Sequence, residues 1–163
     1  MIAIRVVAIP TDICLQVRTS NKSPRYGHPA YTEVAGGYGP CRHCLRTFNI
    51  GEERRTLFTY DPFDKIGRIP LPGPIFIHTV ACARYPETAG YPDDLGKPAA
   101  VLDAYAKGRR LVAPPHAESG QHAAAVEELL QLPEVDYIEV RDREAGCYDF
   151  RIERMSGAGE ERL

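Results

Sequence analysis

Three stretches dense in glycine and proline, residues 19–40, 61–73 and 85–98, divide this 163-residue chain into short apolar segments. Proline lacks the backbone donor that helices and central strands require, and glycine favours turns, so each stretch interrupts regular structure. What remains between them is rich in Ile, Val, Tyr and Phe and short enough to suit strands. The fold this implies is α+β: a mostly antiparallel, twisted sheet of six or seven strands with one main helix over 119–131. Residues 1–155 read as a single domain and 156–163 as a flexible tail. A chain of this length buries about 70% of its unfolded surface without covalent staples. No internal repeat and no interdomain linker is visible.

Taken in order, residues 2–9 form a first strand. Arg5 interrupts its apolar run and Pro10-Thr11-Asp12 ends it, which argues against a signal peptide. Thr11 is placed to cap a short helical turn over 12–18 that points Ile13, Cys14 and Val17 inward. The 19–40 stretch reads as a long connection carrying Tyr26, His28, Tyr31 and Tyr38. A hairpin is expected over 41–60, with strands near 41–46 and 55–60 around Asn49-Ile50-Gly51-Glu52. Residues 74–80 carry a strong buried-strand signal, and 99–106 with 109–113 form another hairpin around Lys107-Gly108. In the helix, Ala123, Val126, Leu129 and Leu130 fall at helical spacing, Ser119 can cap it and Pro133 stops it. The closing hairpin pairs 135–141 with 147–155. In its second strand Tyr148, Phe150 and Ile152 face a core, while Asp149, Arg151 and Glu153 face water.

Charge narrows the function classes. The net charge is −2 and the 20 basic residues are scattered, with doublets only at Arg54-Arg55 and Arg109-Arg110. Nucleic-acid binders carry a basic stripe, so nucleic acid is not an expected partner. No window approaches the roughly 20 apolar residues of a membrane span. Five cysteines, an odd number, in a chain without an export signal point to reduced thiols, a metal site or a redox pair in the cytoplasm.

Reactive side chains concentrate in two places: Cys41-Arg42-His43-Cys44, and the segment from His78 to Cys82. Zinc requires soft thiolates and imidazoles converging on a point, and Cys41, Cys44, His78 and Cys82 offer such a set. Geometry imposes a condition. In a regular strand Cys41 and Cys44 would point to opposite faces, so a shared metal needs these residues to form a turn, which Gly39-Pro40 permits. Two other readings stand beside it. Cys41 and Cys44 can be a thiol–disulfide pair with a thiolate favoured by Arg42, His43 and Arg46. Alternatively, Cys14, Cys41 and Cys82 are small buried hydrophobes.

Further candidates are more diffuse. Cys147, beside Arg143 at a hairpin mouth, is a candidate nucleophile that would need a histidine partner. Arg42, His43, Arg84 and Tyr85 are candidate contacts for a small-molecule ligand, with Arg68 a further anion anchor and the loop tyrosines as walls. His116 and His122 flank the helix start, where a solvated surface role is the default. No serine-nucleophile elbow, dinucleotide fingerprint or telling carboxylate pair appears, so enzyme status stays open. An interaction module with no chemistry is a third reading beside the metal site and the small-molecule or enzymatic domain.

Several phrases together carry a family likeness. Pro40-Cys41-Arg42 leads to Leu45, and Gly51-Glu52 precedes a strand ending at Tyr60. Gly73-Pro74-Ile75-Phe76, then Pro133 with Tyr137-Ile138, follow, and Gly146-Cys147-Tyr148 comes before Arg151-Ile152. From about residue 38 to 154 the chain resembles a family of small bacterial proteins grouped as domain of unknown function number 1203. The resemblance implies a bacterial single-domain protein and attaches no activity to it.

Overall fold

A computed structural model describes residues 1–64, 70–107, 109–113 and 118–155. The apolar segments form strands β1 (Ile4–Val7), β2 (Tyr31–Val34), β3 (Arg54–Tyr60), β4 (Gly73–His78), β5 (Ala100–Ala106), β6 (Arg110–Ala113), β7 (Tyr137–Asp142) and β8 (Tyr148–Arg154), with helices α1 (Thr11–Ser20) and α2 (His122–Leu130). Arg68, Gly108, His116 and the 156–163 segment lie outside the described residues. No helix is long and apolar enough to cross a membrane among those residues.

The fold is α+β and its strands are antiparallel, but they divide into two sheets where one was expected. Five strands run in the order β1-β8-β7-β5-β6 and three in the order β2-β3-β4. The second sheet exists because the 19–40 stretch is not structureless. Its residues Tyr31–Val34 pair with β3, held by a Thr32–Thr56 hydroxyl bond of 3.0 Å and by Arg55 reaching Glu33 at 2.8 Å. Such cross-strand pairs stabilise a ladder by a few tenths of a kcal/mol to about 1 kcal/mol each. The expected strand over 41–46 is also absent, because residues 42–44 form a turn.

Both helices depart from expectation at their starts. α1 is a full helix, with Pro10 at its N-cap and no side-chain cap bond; the Thr11 hydroxyl instead bonds His43. Asn21, at φ 52°, closes it in the left-handed conformation, its N–H bonding Val17 O. α2 begins at His122 because the Ser119 hydroxyl bonds the Lys97 carbonyl and does not cap. Val126 and Leu130 point inward, whereas Ala123 is exposed. His122, expected in solvent, is buried and stacks against Tyr91 with ring centroids 5.2 Å apart.

Each sheet has its own core. α2 covers one face of the large sheet over Val6, Leu102, Ala104, Val126, Leu130, Ile138, Val140, Phe150 and Ile152. The small sheet packs with α1 around Ile9, Cys14, Val17, Phe58, Ile75 and Ile77. Tyr148 belongs to the second core although Phe150 and Ile152 belong to the first, because a register shift between Val140 and Arg141 re-aims the strand. Asp149, expected to face water, is buried.

Candidate metal centre

The segment that joins the two cores is Pro40–Thr47. Pro40 and Thr47 form an antiparallel bridge, Cys41 N–H donates to Arg46 O at 2.9 Å, and Leu45 N–H donates to Cys41 O at 2.8 Å. These bonds close a tight loop around Arg42, His43 and Cys44. Leu45 completes it at φ 56°, a left-handed conformation that costs a non-glycine residue about 1–2 kcal/mol. The cost is offset by where the side chain goes, since Leu45 is 1% exposed and sits in the large sheet's core. Gly39 leads in because there is no room for a side chain: a Cβ there would lie 3.0 Å from the Phe76 ring.

Cys41 runs beside β4, bridged to Phe76, and Arg42 N–H donates to Phe76 O at 3.0 Å. That pairing brings the Cys-x-x-Cys turn to the end of β4, where His78 sits, and residues 79–82 return Cys82 to the same place. The ligand atoms of Cys41, Cys44, His78 and Cys82 lie within 4.8 Å of one another. Cys41 and Cys82 sulfurs are 3.8 Å apart, and His78 Nδ1 is 3.5 Å from Cys44 Sγ. The His78 backbone N–H also points at Cys41 Sγ, at 3.3 Å. These four residues can hold a metal ion. The condition set by the sequence, a turn at 41–44, is met.

Protons are shared unequally within the cluster. Hydrogen bonds from Cys44, then Cys82, with a further one from His78, hold the Cys41 thiol well below its usual range. The same bonds from Cys44 and Cys82 raise those two thiols. Bonding to Cys41 and Cys44 raises the His78 imidazole to about 10. Anionic sulfur is thus favoured at Cys41, at the centre of the cluster.

A second ring of residues fixes the first. His78 Nε2 meets Glu53 Oε1 at 3.2 Å, which directs Nδ1 towards the sulfurs. Phe48 packs on the same imidazole with centroids 4.5 Å apart. His43 turns away from the centre: its Nδ1 lies 3.2 Å from Cys82 Sγ and its Nε2 2.9 Å from Thr11 Oγ1. Burial lowers the His43 pKa, and its two ring nitrogens are engaged by the Thr11 hydroxyl on one side and the Cys82 sulfur on the other. Arg18 Nη2 donates to Cys82 Sγ at 3.6 Å and to His78 O at 3.0 Å. Sequence reading missed Glu53, Thr11 and Arg18, because no local spacing ties them to the cysteines.

The remaining candidates are placed as follows. Arg42 is buried on the far side of the turn, donating to Tyr148 O at 2.9 Å and Pro40 O at 2.8 Å, with Nη2 3.2 Å from Asp149 Oδ1. Burial, partly countered by Arg42, pushes the Asp149 carboxyl up to about 6. Arg84 donates to the Ala8 and Ile9 carbonyls and pairs with Glu87, and Tyr85 donates its hydroxyl to Gly90 O at 3.0 Å. Cys14 is fully buried on α1, where burial pushes its thiol up to about 12. Cys147 borders a cleft of about 280 Å³ with Tyr60, Arg141 and Tyr148, and burial raises its thiol as well. Among the described residues no histidine lines that cleft. Arg143 pairs with Glu118 at 3.1 Å and borders a different cleft, of about 530 Å³, with Tyr38.

One family model, described as "Protein of unknown function (DUF1203)", matches residues 38–154 and so spans both the turn and the His78–Cys82 segment. No curated protein and no solved structure matches the chain.

Proposed function

The chain belongs to that family, and we propose that its cluster holds a structural zinc ion which fastens the two sheets together. The carrying observation is the pair of edge lengths. Two thiolates about 2.3 Å from zinc at the tetrahedral angle lie about 3.8 Å apart, and a thiolate and an imidazole nitrogen about 3.5 Å apart. The cluster has 3.8 Å and 3.5 Å for those separations. Three sulfurs and one nitrogen would supply four ligands without water, the number that closes a structural zinc site and leaves no position for substrate. Zinc would displace the protons now held by Cys44, Cys82 and His78. Glu53 on the distal ring nitrogen fits the carboxylate–histidine–metal pattern that orients a ligand. Soft thiolates also favour zinc over calcium or magnesium, which prefer oxygen.

The role is mechanical. Residues 41–44 and 78–82 come from different parts of the chain, and Leu45 and Arg42 carry the turn into the large sheet. A metal there would lock that joint. We place the protein in the cytoplasm, where thiols stay reduced, and assign it neither nucleic-acid nor membrane partners.

Metal analysis of protein purified without added metal tests the reading. One zinc per chain is expected, lost in Cys44→Ser and in Cys82→Ser and kept in Cys14→Ser and Cys147→Ser. Absence of metal, or zinc indifferent to the first two changes, would overturn it.

A second reading takes the 280 Å³ cleft as a small-molecule site, with Arg141 and Cys147 at its wall. Its test is a ligand screen by thermal shift, with Arg141→Gln abolishing any stabilisation found.

A further inference from the structure

The four candidate ligands are not equally protected. Cys41 is 0% exposed and Cys44 8%, whereas Cys82 is only partly buried. Cys82 also lies in the irregular stretch after β4, outside any strand or helix. Its sulfur has two nitrogen neighbours, His43 Nδ1 and Arg18 Nη2, and two sulfur neighbours, Cys41 at 3.8 Å and Cys44 within 4.8 Å.

We propose that Cys82 is an oxidation site, and that a disulfide between Cys82 and Cys41 opens the metal centre. The proposal rests on the zinc reading for its consequence, metal release, but not for the disulfide itself. Coordinated cysteines are thiolates, and the thiolate is the nucleophile towards peroxides. Access then selects Cys82 among the three. Its sulfur attacks one oxygen of hydrogen peroxide, the O–O bond breaks, and hydroxide leaves, giving Cys82 sulfenic acid. The Cys41 thiolate attacks that sulfur and displaces a second hydroxide, forming the S–S bond. Two thiolates have lost two electrons and peroxide has gained them. The sulfurs need to close from 3.8 Å to about 2.05 Å. Zinc is left with Cys44 and His78 alone and departs as the hydrated ion. Reduction by a dithiol, with zinc present, restores the centre.

Arg18 and His43 favour this site over the other cysteines. Arg18 donates to the Cys82 sulfur and His43 Nδ1 lies beside it, so the negative charge on the attacking thiolate and on each departing hydroxide develops next to a cation. Cys14 has no such access, and burial keeps it a thiol.

The experiment treats the purified protein with hydrogen peroxide, follows zinc with a chromogenic chelator and maps disulfides by peptide mass spectrometry. One zinc released for each Cys41–Cys82 disulfide is expected, at least tenfold faster than without oxidant and reversed by dithiothreitol with zinc. The Cys82→His variant keeps four ligands without the reactive thiol and is expected to release zinc at least tenfold more slowly under oxidant. A Cys41–Cys44 or intermolecular disulfide, or Cys82 recovered as free thiol after zinc loss, would overturn the proposal, as would equal release from Cys82→His. If the protein carries no zinc, the metal reading fails separately, and the disulfide map still judges the oxidation site.

Discussion

Cys44 and Leu45 are neighbours in the chain and lie in different cores, Cys44 beneath the small sheet and Leu45 within the large one. The left-handed backbone at Leu45 makes this possible, turning the chain between the two. Leu45→Ala removes a fully buried side chain and is expected to cost about 2–5 kcal/mol. Leu45→Gly loses the same packing but also relieves the backbone. The glycine variant is therefore expected to be more stable than the alanine variant by about 1 kcal/mol, reversing the order found in helices and strands. Denaturant midpoints of the two variants check the order.

Glu53 touches no metal in the zinc reading, yet it sets the direction of the His78 ring. Glu53→Ala is expected to keep one zinc per chain at saturation while weakening affinity about 10–100-fold. Competition against a chelator of known affinity measures this, and an unchanged affinity would remove Glu53 from the site.

Chelation is expected to destabilise the whole molecule and not only one loop, because the turn that carries Cys41 and Cys44 also places Leu45 in the other core. With free zinc at about a thousandfold over its dissociation constant, binding contributes about 4 kcal/mol. At about 2–4 °C per kcal/mol for a chain of this size, stripping the metal lowers Tm by about 8–16 °C. Calorimetry before and after chelation, with re-addition of zinc as the reversal, is the check.

Asp149 gives a pH signature with an unusual sign. Burial raises its carboxyl from 3.8 to about 6 in the folded chain. The folded state therefore holds a proton that the unfolded state has released, and stability from this group falls as pH rises through that window. Asn mimics the protonated acid and does not titrate. The Asp149→Asn variant is expected to gain on the parent by up to about 3 kcal/mol between pH 4 and pH 7. Parallel unfolding curves at the two pH values decide it, and a constant difference would show that Arg42 keeps the carboxylate ionised throughout.

Much of the fold is legible in residue order. The closing hairpin, β4 and the β5–β6 pair announce themselves by apolar runs between turn residues, and α2 by its helical spacing. The four candidate ligands are legible as residue types, but their convergence is not. It depends on a left-handed residue after Cys44, a position where glycine is the usual signal and this chain has leucine. β2 was hidden because Tyr31–Val34 is an edge strand with no buried residue, leaving no alternation to read. Asp149 misled because alternation assumes open solvent beyond the sheet, whereas Arg42, far away in sequence, covers that face. Glu53, Thr11 and Arg18 became visible only in three dimensions.

The pairing of β1 with β8 has a consequence on the ribosome. Ile4 finds its ladder partner in Arg154, about 150 residues later. At roughly 5–20 residues per second, β1 emerges about 8–30 s before the strand that completes it. Val6, fully buried in the finished sheet, spends that interval without its ladder partner Ile152. The large sheet closes only when its earliest and latest strands meet, which makes β1 the segment most exposed to chaperones and to neighbouring nascent chains during synthesis.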